Sequence, residues 1–166
     1  IEGMDTLHVR DGQFEYELPL SESATLHILD PNFSQLTLFV RGGDELTVEG
    51  DARGLSEVRV SGSADNELYT EFRHEVKGKN EAETMELARR YILSHPASRV
   101  SHYLFRQYFL EAAGAARAMV GEVYDSLMRA NPDDMNLHRM AHWVSSHRLL
   151  ELGMPLPPFR LALRAG

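Results

Sequence analysis

Residues 58–78, VRVSGSADNELYTEFRHEVKG, hold the turning point of the sequence. Val58 and Val60 alternate with polar neighbours, the period of a strand with one face buried. Beyond Gly62 the apolar residues Leu68, Phe72 and Val76 recur every fourth position and form one helical stripe. Ser63 stands where an N-cap belongs, and Asp65 falls in the electropositive first turn. Gly78 supplies the stop. The change of period at Gly62 therefore divides the chain into a strand-rich part and a helical part.

Upstream, the alternation continues back to the start. Leu7 and Val9, then Phe14, Tyr16 and Leu18, then Leu26 and Ile28, then Leu36, Leu38 and Val40, then Leu46 and Val48 each read as a half-buried strand. Between them lie Asp11-Gly12, Asp30-Pro31-Asn32, Gly42-Gly43-Asp44 and Gly50-Asp51, all turn chemistry. Asp11-Gly12 is a hairpin signal. Six short strands so spaced predict an antiparallel, sandwich-like or partly open barrel arrangement over residues 1–62.

Downstream, residues 63–152 predict about five helices. Asn80 with Glu83 makes a capping box ahead of Met85, Ala88 and Ile92, and Pro96 ends that helix. Ser98 caps a third helix with Val100, Leu104, Phe105 and Tyr108 inward. Gly114 breaks the pattern before a helix carrying Met119, Val120, Val123, Tyr124 and Leu127. Asn131-Pro132-Asp133 separates it from a last helix with Leu137, Met140, Ala141 and Val144 inward. Pro155, Pro157 and Pro158 make residues 153–166 extended. The expected fold class is α+β: an antiparallel β-sandwich-like half, then an all-helical half, then a proline-rich tail.

Composition narrows the function. The 166 residues suit one domain or two small ones. Lys and Arg number 17 against 25 Asp and Glu, a net charge of −8, which argues against a phosphate-backbone binder. No nucleic acid partner is expected. There is no cysteine, so disulfides, thiolate zinc sites and a cysteine nucleophile are excluded within the chain. No apolar run reaches the roughly 18 residues of a membrane helix. A start at Ile1 rather than Met is compatible with a processed, secreted precursor.

Candidate chemistry is sparse. His138 and His142, spaced i, i+4, place two imidazoles on one helix face, as a metal pair requires. Arg139 occupies the position where a zinc protease carries its Glu, and His147 lies off that face. Two ligands fall short of a structural zinc site, so no metal and no cofactor is expected. His95 before Pro96 reads as a helix C-terminal cation, and His102 as a surface residue without a triad Asp. Arg41-Gly42-Gly43-Asp44 lacks the helix and the Lys-Ser/Thr of a phosphate loop and reads as a turn. Gly62-Ser63 opens a helix, but Asp65 opposes an anion there. Glu15 and Glu17 face solvent, and Asp133 and Asp134 suit a helix start. Tyr103, Phe105, Tyr108 and Phe109 read as core, and Trp143 as an edge-of-core or interface residue. No residue emerges as catalytic.

Two stretches carry a family resemblance. Residues 46–72, LTVEGDARGLSEVRVSGSADNELYTEF, give a strand, a Gly-Asp turn, a strand and then Val-x-Gly-Ser-x-x-Asn-x-Leu-x-x-x-Phe. Residues 90–109, RYILSHPASRVSHYLFRQYF, give a Pro-x-Ser ahead of a Ser-x-Tyr-Leu run. Both resemble the N-terminal domain of unknown function that precedes the thioredoxin-like domain in bacterial TlpA/ResA-like cell-envelope proteins. Ile1-Glu2-Gly3 and the strand, Asp-Gly, strand step over residues 9–16 are similar to its opening. In the tail, Gly153, Pro158, Phe159, Leu161 and Gly166 resemble the lead-in of the redox domain itself.

The resemblance implies a non-catalytic accessory domain of a thiol:disulfide interchange protein, periplasmic or anchored at the outer membrane. It would position the redox domain, recognise a client or mediate dimerisation. The implied partners are a C-terminal thioredoxin-like domain of the same gene product, client proteins and a second copy. No catalytic residue of that family transfers here, because disulfide exchange needs a thiolate. The competing reading is a stand-alone small-molecule-binding or protein-interaction module, with an apolar pocket between sheet and helices.

Overall fold

The computed structural model describes residues 3–51, 54–110 and 117–151, with side chains up to residue 146. Strands come first and helices follow, an α+β arrangement. Strand β1 (Ala24–Leu29) pairs antiparallel with β2 (Gln35–Val40), with Leu26 opposite Leu38. A second ribbon joins β3 (Thr47–Glu49) to β4 (Arg59–Ser61), with Val48 opposite Val60. A 3-10 turn, Leu55–Glu57, leads into β4. Among the described residues five helices follow: α1 (Ala64–Glu75), α2 (Glu81–Ser94), α3 (Arg99–Tyr108), α4 (Arg117–Ala130) and α5 (Met135–Glu151).

The strand half departs from expectation. Among the described residues there are four strands in two separate two-stranded sheets, not six in a sandwich. The Asp11-Gly12 turn does form, with φ of 51° and 74° and reciprocal Arg10–Gln13 backbone bonds of 2.9 Å. No ladder grows from it; the segment carries a single bridge. The alternating residues Val9, Phe14, Tyr16 and Leu18 stay exposed. Alternation makes one apolar face, but a two-stranded hairpin without a layer to cover that face is marginal. The half-buried Leu20 is where this arm first meets the ribbons.

The switch at Gly62 is as expected. Its φ is +106°, and an added Cβ would lie 2.2 Å from the Glu45 carbonyl oxygen, so only glycine fits. Ser63 Oγ caps α1 by accepting from the Asn66 amide. Asn80 and Glu83 form the full capping box on α2, and Ser98 Oγ caps α3. Helix α1 ends at Glu75 with Val76 as C-cap, and Gly78 turns the chain with φ +73°. Asp134 Oδ1 accepts from the amides of Asn136 and Leu137 and so caps α5. The Gly114 break and the proline-rich tail lie outside the described residues.

Two apolar clusters result. The larger is helical: Phe72, Leu87, Ala88, Ile92, Val100, Leu104, Phe105, Phe109, Val120, Val123, Leu127, Leu137 and Val144 are buried together, with Phe39 added from β2. The smaller lies between the ribbons: Leu36, Leu38 and Val40 of β2 meet Val58 and Val60. Strand β2 is therefore buried on both faces from Leu36 to Val40, one face to each cluster. On α5, Leu137 and Val144 are buried and Met140 and Trp143 half-buried, but Ala141, expected inward, is exposed. Its small side chain marks no face by itself, and the stripe runs through Trp143 instead.

Candidate functional site

Helix α1 carries the most specific polar geometry, and it faces the strands. Asn66 Oδ1 accepts from the Phe39 amide at 3.0 Å, while Nδ2 donates to the Phe39 carbonyl at 2.7 Å and to Ser63 Oγ at 2.7 Å. One turn on, Thr70 Oγ1 accepts from the Val60 amide at 3.1 Å and donates to the Val60 carbonyl at 3.3 Å. Two turns on, Arg73 donates to the carbonyls of Val58, at 2.8 Å, and Leu55. Positions i, i+4 and i+7 share one helix face. That face meets the outward backbone groups of Phe39 on β2 and Val60 on β4. Asn66 and Thr70 are 1% and 5% exposed, so these bonds form away from water. Burial also holds the Arg73 guanidinium below its ordinary range, though it stays a cation.

Helix α3 adds a second clasp. Arg99 donates to the Val40 carbonyl at 3.1 Å and to Thr25 Oγ1 at 3.4 Å, and its guanidinium lies 5.7 Å from the Phe39 ring centre. Ser98 Oγ donates to Asp65 Oδ1 at 2.7 Å, tying the starts of α1 and α3 together. Asp65 also faces Arg41 at 3.4 Å. The helix start at Gly62-Ser63 is thus occupied by the chain's own groups.

Between the clasps, Phe39, Tyr69 and Tyr103 meet edge to face with centroids 5.5–5.6 Å apart. They fill the seam where the ligand-module reading puts a pocket. A polar thread leaves it: Tyr103 OH contacts Thr37 Oγ1 at 3.4 Å, Thr37 Oγ1 contacts His27 Nδ1 at 3.2 Å, and Gln35 Nε2 lies 2.8 Å from the same nitrogen. Burial, then the neighbouring Tyr103, pushes the Tyr69 phenol far above its usual range. The Tyr69 hydroxyl therefore stays protonated.

The outer face of α1 borders a cleft of about 410 Å³ against α2. Leu68 and Leu93 provide apolar lining, Glu71 and Glu75 negative charge, and Arg90 positive charge beside His95. Tyr91 OH donates to Glu75 Oε1 at 2.6 Å, and burial followed by that bond raises its phenol well above the ordinary value. Apolar lining between opposite charges suits a peptide segment better than a single anion or cation.

The histidines expected to be inert as ligands are placed as follows. His138 and His142 are exposed on α5, and His138 Nε2 lies 2.6 Å from the Pro132 carbonyl, a turn contact. The His147 side chain lies outside the described residues. Among the described residues no three His, Cys, Asp or Glu side chains group for a metal. His95 is the exposed C-cap of α2.

His102 differs from the expectation of a surface residue without an acidic neighbour. It is half-buried, and Asp134 Oδ2 lies 3.8 Å from its Nε2. Burial, partly offset by Asp134, lowers its pKa, so the ring is held neutral. Ser101 does not complete a relay, because its Oγ donates to the His95 carbonyl at 2.6 Å. The 32-residue spacing gave no local signal for this pair.

Arg41-Gly42-Gly43-Asp44 is the expected turn, closed by Asp44 Oδ2 on the Arg41 amide at 2.9 Å. Phe105 and Phe109 are buried, with Tyr103 and Tyr108 packed at the core margin. Asn66 and Thr70 are the residues sequence reading passed over. Their signal was two poor helix formers at i, i+4 beside an apolar stripe, a pattern that favours side-chain bonds to nearby backbone. No family model, curated protein or solved structure matches the chain.

Proposed function

We propose that this chain is a non-catalytic accessory domain of a cell-envelope thiol:disulfide interchange protein, positioning a thioredoxin-like neighbour and presenting a surface to its clients. The observation that carries this reading is the α1 clamp. Asn66, Thr70 and Arg73 bind the backbone of both ribbons while Phe72 enters the helical core, so strands and helices form one frame. A frame of this kind suits holding a second module at a fixed orientation. The resemblance of residues 153–166 to a redox-domain lead-in names that module, and the absence of cysteine in the chain leaves the thiolate chemistry to it. Among the described residues no helix is long and apolar enough to cross a membrane.

The cleft between α1 and α2 is the client-facing surface in this account. In the full gene product, Glu75→Arg is expected to slow reduction of a protein disulfide client about tenfold while leaving a small-molecule disulfide unaffected. An unchanged rate on the protein client, or the same slowing on both substrates, would remove the cleft from the proposal. The reading as a whole is tested by translating the gene beyond Gly166. It expects an in-frame Cys-x-x-Cys module. A stop codon there, with no redox module in the neighbouring genes, would end it.

A further inference from the structure

Among the described residues the outer edge of β1 is open, and its chemistry is self-complementary. The bond from the Asp30 amide to the Ser34 carbonyl, 3.1 Å, marks the hydrogen-bonded positions of the β1–β2 hairpin. Phe39, opposite Thr25, instead turns its amide and carbonyl outward to Asn66. By the alternation of an antiparallel ladder, Thr25, His27 and Leu29 direct their N–H and C=O groups away from β2. Among the described residues β1 pairs with β2 alone, and no backbone bond reaches that outer row. Strand edges left this way are normally guarded by charge, proline or a bulge. The edge Ala-Thr-Leu-His-Ile-Leu has none of these.

We propose that β1 pairs antiparallel with β1 of a second copy across a two-fold axis at His27, joining the two hairpins into one four-stranded sheet. The register follows from the geometry. With His27 opposite its own image, Thr25 stands opposite the second copy's Leu29, and all three outward positions are hydrogen-bonded positions at once. The pairing leaves none of their backbone groups over. Charge selects this seam for self-association. Each copy carries −8, so most faces repel, whereas residues 24–35 hold one formal charge, Asp30, whose Oδ1 accepts from the amides of Asn32 and Ser34.

The same register lays the chain entering β1 beside the second copy's hairpin tip. Phe33 at that tip is 90% exposed in a left-handed conformation, φ +63°, and Leu29 is 58% exposed. An aromatic ring left in water gains free energy when it is covered. The exposed ring of Phe33 therefore comes to the end of the seam, beside the second copy's chain as it enters β1. This inference does not depend on the redox reading.

Sedimentation velocity on the purified chain between about 1 and 200 µM is expected to show a monomer–dimer equilibrium. His27→Lys places like charges directly opposite and is expected to raise the dissociation constant roughly fivefold or more. Thr47→Lys, on β3, is expected to leave it unchanged. Amide exchange at Thr25, His27 and Leu29 should slow as concentration rises. A monomer at every concentration, or a dimer indifferent to His27→Lys, overturns the proposal. So does protection of those three amides that is independent of concentration, which would mean that the edge is filled within one copy. Circular dichroism of each variant separates loss of pairing from loss of fold.

Discussion

The helical bundle and the paired ribbons are built on different terms. The bundle buries a continuous cluster from Phe72 on α1 to Val144 on α5, and α4 and α5 are further joined by Tyr124 OH donating to the Leu137 carbonyl at 2.8 Å. The ribbons bury five residues between two sheets of two strands each. Sheets that small do not persist alone in water. On β2 and β4, side chains of α1 bond the outward backbone groups of Phe39 and Val60, so the ribbons' order is borrowed from the bundle. Stability in this fold therefore has a direction: damage to the bundle should reach the ribbons, and damage to the ribbons should leave the bundle standing.

That asymmetry can be broken or sharpened by substitution. Phe105→Ala empties a fully buried site in the bundle and is expected to cost about 3–5 kcal/mol, with ribbons and helices lost together by far- and near-ultraviolet dichroism. Asn66→Ala leaves the Phe39 amide and carbonyl unpaired away from water, a cost of about 3 kcal/mol. Here the ribbons should melt at a lower temperature while the Trp143 fluorescence transition moves less. Thr70→Val removes one hydroxyl from the Val60 backbone at nearly constant volume, about 1–2 kcal/mol in denaturant titration. Asn80→Ala deletes half of the α2 capping box and should cost about 1 kcal/mol without uncoupling the two regions.

The smallest effect expected is one of pH. His102 is held neutral by burial, so the unfolded chain binds a proton that the folded one refuses. Stability from this group is present above the ordinary imidazole pKa of about 6.5 and falls as acid takes the solution below it. His102→Gln is expected to flatten the loss of thermal stability between pH 7 and pH 5. An unchanged slope would show that His102 contributes nothing to it.

What the sequence made legible was local. The Gly62 switch, the Ser63, Asn80 and Ser98 caps and the helical stripes each depend on neighbours within a few residues, and each is where periodicity and capping put it. The strand count was not legible, because alternation at Val9 or Tyr16 reports a wish for a covered face and not the presence of a cover. The candidate site was less legible still. Asn66 meets Phe39 across 27 residues and His102 meets Asp134 across 32, and no spacing rule reaches that far. Ala141 shows the converse: a small residue fits either side of a helix boundary, and its neighbours decide.

Native-state hydrogen exchange at the Phe39 amide tests the welding of ribbons to bundle most directly. The account predicts protection close to that of bundle amides such as Leu104 in the native chain, and a loss of at least tenfold in Asn66→Ala while Leu104 stays protected. Exchange of the Phe39 amide at loop rates in the native chain, or protection that survives removal of the Asn66 side chain, would contradict it.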